Sequence, residues 1–373
     1  MSNENVSKAI PEIGYLHRGT EKLCEYSEYY KILPFFDRFD YLGLILCEHS
    51  YIINLEKLLL VSNNLYKQLW RTILNEIMRI SSHFLALTTS AMDIGAISPF
   101  LWAFEEREEI ATLFENISGA RMHTALYKMG GLNFSVRVDD ITYIYETIIR
   151  LKVKLSEVYE LLINSSIWYN RMQNVGIINK FISNSYGLSG PVSRSCGLKY
   201  DLRFLFPYEF FNFLPIKIIF GSQGDNLTRF FLRFEETLIS LQYIEYLLTM
   251  LDKQLFTSTN FKTHEKLTID LKLQTFKKTN LTMENTIYQF KSFSEGFNIK
   301  KNKSYSKTES PRGEFGVTIV SWDKILDRPL RLKIRSPGFY NLSSLNIISS
   351  NFILSDLLSY LSTLDLILGE VDK

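Results

Sequence analysis

The chain has 373 residues, 46% of them hydrophobic and 14% aromatic, with 42 basic residues against 40 acidic ones. That length and apolar share suit one large domain or two closely packed ones, and a net charge of +2 excludes the concentrated basic face of a nucleic-acid binder. Three cysteines, Cys24, Cys47 and Cys196, stand far apart without a CxxC pair, which excludes a disulfide framework and a four-cysteine zinc or iron–sulfur site on this chain.

Residues 1–20 read as an irregular lead-in with neither the apolar core of a signal peptide nor the Arg-rich pattern of a transit peptide. Residues 21–60 read mainly as helix, broken near Pro34. Residues 63–91 carry the clearest helical period: Leu65, Leu69, Ile73, Ile77, Ile80, Phe84 and Leu87 share one face, flanked by Trp70, Leu74 and Met78. Arg71, Glu76 and Arg79 interrupt it too often for a membrane span. Residues 104–127 read as a helix whose EEREE run, Glu105 to Glu109, forms a solvated acidic first turn; Gly130 and Gly131 end it. A long helix follows over 139–172, starting at Asp139 and Asp140. Residues 187–203, GLSGPVSRSCGLKYDLR, form a Gly-rich loop region, and 226–256 return to helix. Residues 257–282 are polar and basic with no clean period, a surface excursion. Helix resumes near 283–293. GEFGVTIVSW (313–322) and LRLKIRS (330–336) pair as antiparallel strands around a turn at Asp327, Arg328 and Pro329. Residues 348–368 close the chain as an amphipathic helix. The sum is a mostly helical, α+β chain, one domain over 21–373 with a small antiparallel sheet near the C-terminus.

Local motifs supply candidates rather than a reaction. There is no GxGxxG, Walker loop, HExxH or GxSxG. GSQGD (221–225) reads as a helix-start loop, since no Lys-Ser/Thr follows to make it a phosphate cradle. None of the five histidines pairs with another at i, i+4, so metal chelation is not expected. Taken alone, His123 in SGARMH is a packed polar residue, and Asp93 in SAMDIG is a capping carboxylate. FFDRFDY (35–41) poses the sharper question, because it sets Asp37, Arg38 and Asp40 among four aromatics. An arginine there is either solvated or buried with a partner.

Nine segments in one order carry a resemblance: HRGTEK (17–22), LPFFDRFDY (33–41), ALTTSAMDIGAISPFLWAFEERE (86–108), SGARMH (118–123), GLSG (187–190), GSQGD (221–225), PRGEFGV (311–317), SPGF (336–339) and LGEVDK (368–373). From about Pro11 to Lys373 the chain resembles the quinone-site core subunit family of proton-pumping NADH:ubiquinone oxidoreductase, respiratory complex I, in its mitochondrial form. That family is similar in fold to the large subunit of nickel–iron hydrogenases. Here RFDY and LGEVDK stand near where the hydrogenase cysteine motifs would be, and neither holds a cysteine, so the resemblance implies no metal ligated by this chain and excludes a hydrogenase.

The resemblance implies a [4Fe–4S] cluster held by a neighbouring small subunit and ubiquinone as substrate. Arg38 matches a family arginine facing that cluster, Arg18 a second one that is methylated in some members, and His123 a histidine beside it. Arg38's partner would then be an anionic cluster, with Asp37 and Asp40 as nearer local partners. Tyr41 matches the tyrosine that hydrogen-bonds a quinone carbonyl, and Asp93 an acidic residue of the same site that orients a histidine. The family's N-terminal sheet and His-bearing loop have no match in this chain, and a separate companion chain carrying that segment is expected. His17 matches a different family histidine. The implied location is the matrix side of the mitochondrial inner membrane, peripheral to the membrane arm, with an organelle-encoded gene; the skew toward Phe, Tyr, Ile, Asn and Lys fits an AT-rich organellar genome. The alternative is a catalytically silent structural or assembly paralogue within complex I, in which Tyr41 or Asp93 would have drifted.

Overall fold

A computed structural model describes residues 4–134, 136–257, 283–284, 286–287, 290, 294, 299–322, 327–350 and 352–373. Helices dominate: α1 (Thr20–Tyr26), α2 (Leu33–Phe36), α3 (Leu44–Leu59), α4 (Leu65–Ile94), α5 (Ile97–Ser118) and α6 (Val138–Ile163), then the short α7 (Ser166–Met172), α8 (Lys180–Tyr186), α9 (Pro191–Ser195) and α10 (Leu202–Leu205), and the long α11 (Asn226–Thr257). A two-stranded hairpin, β1 (Tyr127–Lys128) with β2 (Gly131–Leu132), lies between α5 and α6. Near the C-terminus β3 (Lys303–Ser310), β4 (Gly313–Ser321) and β5 (Pro329–Arg335) form an antiparallel sheet in the order β3-β4-β5. The mostly helical class with a small C-terminal sheet holds.

Boundaries differ where side-chain capping outweighs period. The segment 21–60 is three helices, and Pro34 sits in the first turn of α2, where a missing N–H costs nothing. Helix α5 starts at Ile97, with Pro99 in its first turn, and stops at Gly119, whose φ of 82° leaves the helical region. Glu105–Glu109 therefore falls within the helix rather than in its first turn, and Glu106 is buried. SGARMH runs out of α5 into a loop, and Gly130 and Gly131 turn the hairpin instead of ending a helix. The helix expected over 139–172 breaks at Ser165, whose hydroxyl caps α7. The amphipathic helix expected over 348–368 is shorter, Leu354–Leu364, and ends where Asp365 takes φ 55°; a further short helix spans Leu368–Val371. Residues 258–282 and 323–326 lie outside the described residues; of the helix expected at 283–293, residues 283–284, 286–287 and 290 are helical.

Strand β3 had no apolar signal in KSYSKTES, because its inward positions are hydroxyls. Ser306 donates to the Ser50 carbonyl at 2.6 Å and Thr308 to the Leu46 carbonyl at 3.2 Å, so the edge strand is pinned to α3. The two-residue turn Pro311–Arg312 joins β3 to β4 and carries Arg312 at its tip.

Helix α4 is buried on nearly every side, charges included. Burying charge is costly unless each ion is paired and hydrogen-bonded. Arg71 pairs with Glu56 at 2.7 Å and Glu209 at 2.6 Å. Glu76 contacts Arg79 and accepts from Ser240 at 2.6 Å. His83 meets Glu236 at 3.1 Å, and Glu236 and Glu309 both hold Arg194. These pairs lock α4 against α3, the Glu209–Phe213 turn and α11, and α11 against α9. No helix among the described residues is long and apolar enough to cross a membrane.

Candidate functional site

The stretch FFDRFDY divides by depth. Phe36 and Phe39 are fully buried, Phe36 stacking on Tyr51 at 4.7 Å, and they anchor the segment. Asp37 and Asp40 are buried, while Arg38 and Tyr41 face outward. Arg38 is thus the accessible charge of the stretch, and its carboxylate neighbours do not behave alike. Asp40 does not pair with it. Asp40 accepts from the backbone N–H groups of Leu42 and Gly43 and binds Arg312 at 2.7 Å. Asp37 is close enough for Arg38 to favour its ionised form, yet burial dominates and pushes its carboxyl up to about 7.

Arg312 arrives from the β3–β4 turn into an acidic nest. It holds Asp40 and, at 3.1 Å, Asp365, and donates to the Asp365 carbonyl at 2.9 Å. Glu370 stands beside them, fully buried; burial first, then the Asp40 charge, lifts its carboxyl to about 8. The RFDY and LGEVDK segments meet here: a Cβ placed on Gly369 would lie 2.8 Å from the Phe39 carbonyl, so only glycine lets the two backbones approach.

Arg18, Arg38 and His123 come together on the outer side of this nest. Arg18 donates to the Arg38 carbonyl at 2.9 Å, and Arg38 donates to the Pro34 carbonyl at 2.8 Å. All three side chains are exposed. Among the described residues neither arginine meets a carboxylate at ion-pair distance. His123 sits in the loop after α5 at φ 55°, its ring bonded to the Asp37 backbone. Partial burial, then the Arg38 charge, lowers its proton affinity.

Tyr41 stands 47% exposed at the rim of a cavity of about 140 Å³, with Leu42, Met78, Phe104, Arg107 and Met122 in its wall. Met122 joins this cavity to the adjoining His123. Arg107 lies over the Phe104 ring at 5.5 Å, and Arg121 pairs with Glu108 at the edge. The mixture of apolar wall and convergent polar groups suits an amphipathic head group. Asp93, on the last turn of α4, does not line this cavity; it is exposed and hydrogen-bonds Ser362 of the Leu354–Leu364 helix, with burial raising its carboxyl. GSQGD is a helix start: Asp225 accepts from the Thr228 N–H at 2.8 Å and caps α11. His17 bonds the Asp372 carbonyl at 2.6 Å. Among the described residues no group of three or more His, Cys, Asp or Glu side chains is arranged to hold a metal ion.

Several residues of this region escaped the sequence reading. Arg312 and Glu370 lay inside quoted segments, but nothing local marked them as partners of Asp40. Arg107 was hidden in an acidic run, and Glu48 in a helical one.

Residues 93–373 match the family model described as respiratory-chain NADH dehydrogenase, 49 Kd subunit. The chain belongs to this family. Relatives agree over its full length: it is 38% identical to the NADH-ubiquinone oxidoreductase 49 kDa subunit of Dictyostelium discoideum over 379 residues, covering 100% of this chain and 91% of the relative. It is 40% identical to the subunit of the same name in Acanthamoeba castellanii, covering 100% and 90%. It is 37% identical to NADH dehydrogenase [ubiquinone] iron-sulfur protein 2 of Arabidopsis thaliana, covering 100% and 91%. As a member of the 49 kDa family the chain is a subunit of a respiratory-chain oxidoreductase complex.

Proposed function

We propose that this subunit forms, with a neighbour carrying a [4Fe–4S] cluster, the chamber in which ubiquinone is reduced to ubiquinol in mitochondrial complex I, on the matrix side of the inner membrane. When bound, the cluster supplies single electrons to the quinone. One observation carries the reading: Arg18, Arg38 and His123 converge on an exposed patch without a carboxylate partner among the described residues, one residue away from the cavity that Tyr41 rims. Two exposed guanidinium groups without an acid await an external anion, and a low-dielectric interface would strengthen that attraction. Arg38 stabilises the added negative charge of a reduced neighbour. His123 has its proton affinity lowered while no anion is present; a negative charge nearby raises it, so the ring gains a proton as the electron arrives. Tyr41 presents its phenol to the cavity and donates a hydrogen bond to a quinone carbonyl. Asp93 lies off the Tyr41 cavity, on the last turn of α4, and its part in the chamber is to orient a histidine brought by a separate chain. The energy released is passed to membrane-embedded pumping subunits.

The test is Tyr41→Phe in the assembled complex. The Tyr41 hydroxyl makes no hydrogen bond to the described residues, so assembly and NADH oxidation by a soluble acceptor should hold while quinone reduction falls roughly 10²-fold or more. Arg38→Gln should lower the midpoint potential of the adjoining cluster, read by EPR titration. Unaltered quinone reduction together with an unmoved potential refutes the assignment.

A further inference from the structure

Behind the exposed patch lies a pair of acids that the proposed chemistry does not use. Asp37 is 2% exposed and Glu48 is not exposed at all. The two acids are neighbours, and the buried Asp37 Oδ1 has no hydrogen-bond donor among the described residues; a carboxylate can satisfy it only by bringing a proton. The loop bearing His123 is fastened to this pair. Ala125 N–H donates to Asp37 at 3.3 Å, and Leu126 and Tyr127 N–H donate to Glu48 at 3.2 Å and 2.8 Å. His123 and Ala125 both hold left-handed backbone, φ 55° and 42°, which non-glycine residues keep only when their surroundings impose it.

We propose that Asp37 and Glu48 hold one proton between them and that this shared proton is the clasp fixing the His123 loop, which makes the pair a pH-sensitive positioning device for His123 and Arg38. The groups facing the pair leave it no full neutralisation. Arg38 and the His123 ring lie by Asp37, Arg71 and Tyr127 by Glu48, and the buried Cys47 thiol beside both. Arg71 is already committed to Glu56 and Glu209, and Arg38 is solvated. Burial raises both carboxyls, as sharing requires. The sign follows by linkage. The closed pair retains a proton that the opened, hydrated pair releases, so rising pH favours opening by about tenfold per pH unit, until the closed pair itself ionises.

The consequence for a redox neighbour rests on the function proposed above; the clasp itself does not, and hydrogen exchange reads it directly. In the assembled complex, protection of the amides of residues 125–127, corrected for intrinsic exchange, should fall about tenfold per pH unit between roughly pH 6 and 7. Glu48→Gln replaces the shared proton with an amide N–H, so its protection should be flat over the same range, and the alkaline limb of quinone reduction should move to higher pH. Infrared spectra of the native complex should show a protonated carboxyl band that titrates with the exchange. A flat native profile overturns the clasp even where Glu48→Gln fails to assemble. A sloping profile with an unmoved alkaline limb keeps the clasp and refutes its influence on quinone reduction.

Discussion

Replacing Arg312 by leucine tests the acidic nest at its most exacting point. Arg312 is buried and gives two ion pairs, 2.7 Å to Asp40 and 3.1 Å to Asp365, with Glu370 as a third acid beside them. Leucine fills much of the volume but leaves three buried acids and no cation from the hairpin tip. Breaking a buried pair by removing one partner costs about 3–5 kcal/mol, a large part of the roughly 5–15 kcal/mol that holds a folded domain. The loss should depend on pH in one direction. Arg312 is the cation that holds the Glu370 carboxyl down, so without it that carboxyl, at about 8 in the native chain, rises further above the unfolded range of about 4. The unfolded chain releases that proton first, so stability falls as pH rises through the window between the two values, by about 1.4 kcal/mol per pH unit, and in the variant the fall continues past the native value of about 8. The assay is the thermal inactivation midpoint of the assembled complex and the abundance of this subunit, measured at about pH 7 and about pH 9. Arg312→Leu should fail at the alkaline pH and recover in part at the lower one, and Arg312→Lys, which keeps charge but not the two-pronged fork, should lie between. A leucine variant as stable as the native chain at both pH values, or one stabilised by alkali, would refute the reasoning.

Two further outcomes follow from the same geometry. His123→Met removes the titratable imidazole beside Arg38, so the midpoint potential of the neighbouring cluster should lose its pH slope; a slope equal to the native one would show that the proton goes elsewhere. Gly190→Ala should destabilise the subunit by more than the ~1–3 kcal/mol of a strained residue, since φ is 71° and the new Cβ would meet the Arg312 carbonyl oxygen at 2.6 Å; a melting midpoint unchanged from the native value would mean that the hairpin turn yields freely.

The long helices were legible because period speaks plainly: the face from Leu65 to Leu87 is the buried spine of α4. What the period could not show was that Arg71, Glu76, Arg79 and His83 are interior too. Their partners lie on other elements, Glu56 and Glu209 for Arg71 and Glu236 for His83, and pairing across the fold leaves no local pattern. Strand β3 was missed for a related reason, since alternation in hydroxyls is invisible to a search for alternating apolar residues. Within the site, Arg18, Arg38 and His123 were named from their segments and stand together. The suggestion that Asp40 would serve Arg38 was mistaken: Arg312, 272 positions later, takes that carboxylate. Sequence proximity favours the neighbour, but an arginine that is buried against the acid outbids one that water can reach.

The two extremities of the described fold are stitched together. The Asp372 carboxylate accepts the N–H groups of Gly14 at 2.9 Å and Leu16 at 2.7 Å, across separations of 358 and 356 residues, and the Asp372 carbonyl holds His17. Arg18 follows directly on that stitch, so its place beside Arg38 depends on a carboxylate from a distant part of the sequence. A variant that loses the Asp372 carboxylate can bury its long helices and still leave the arginine pair undisplayed, so the presentation of both guanidinium groups reports on a contact that neither of them makes.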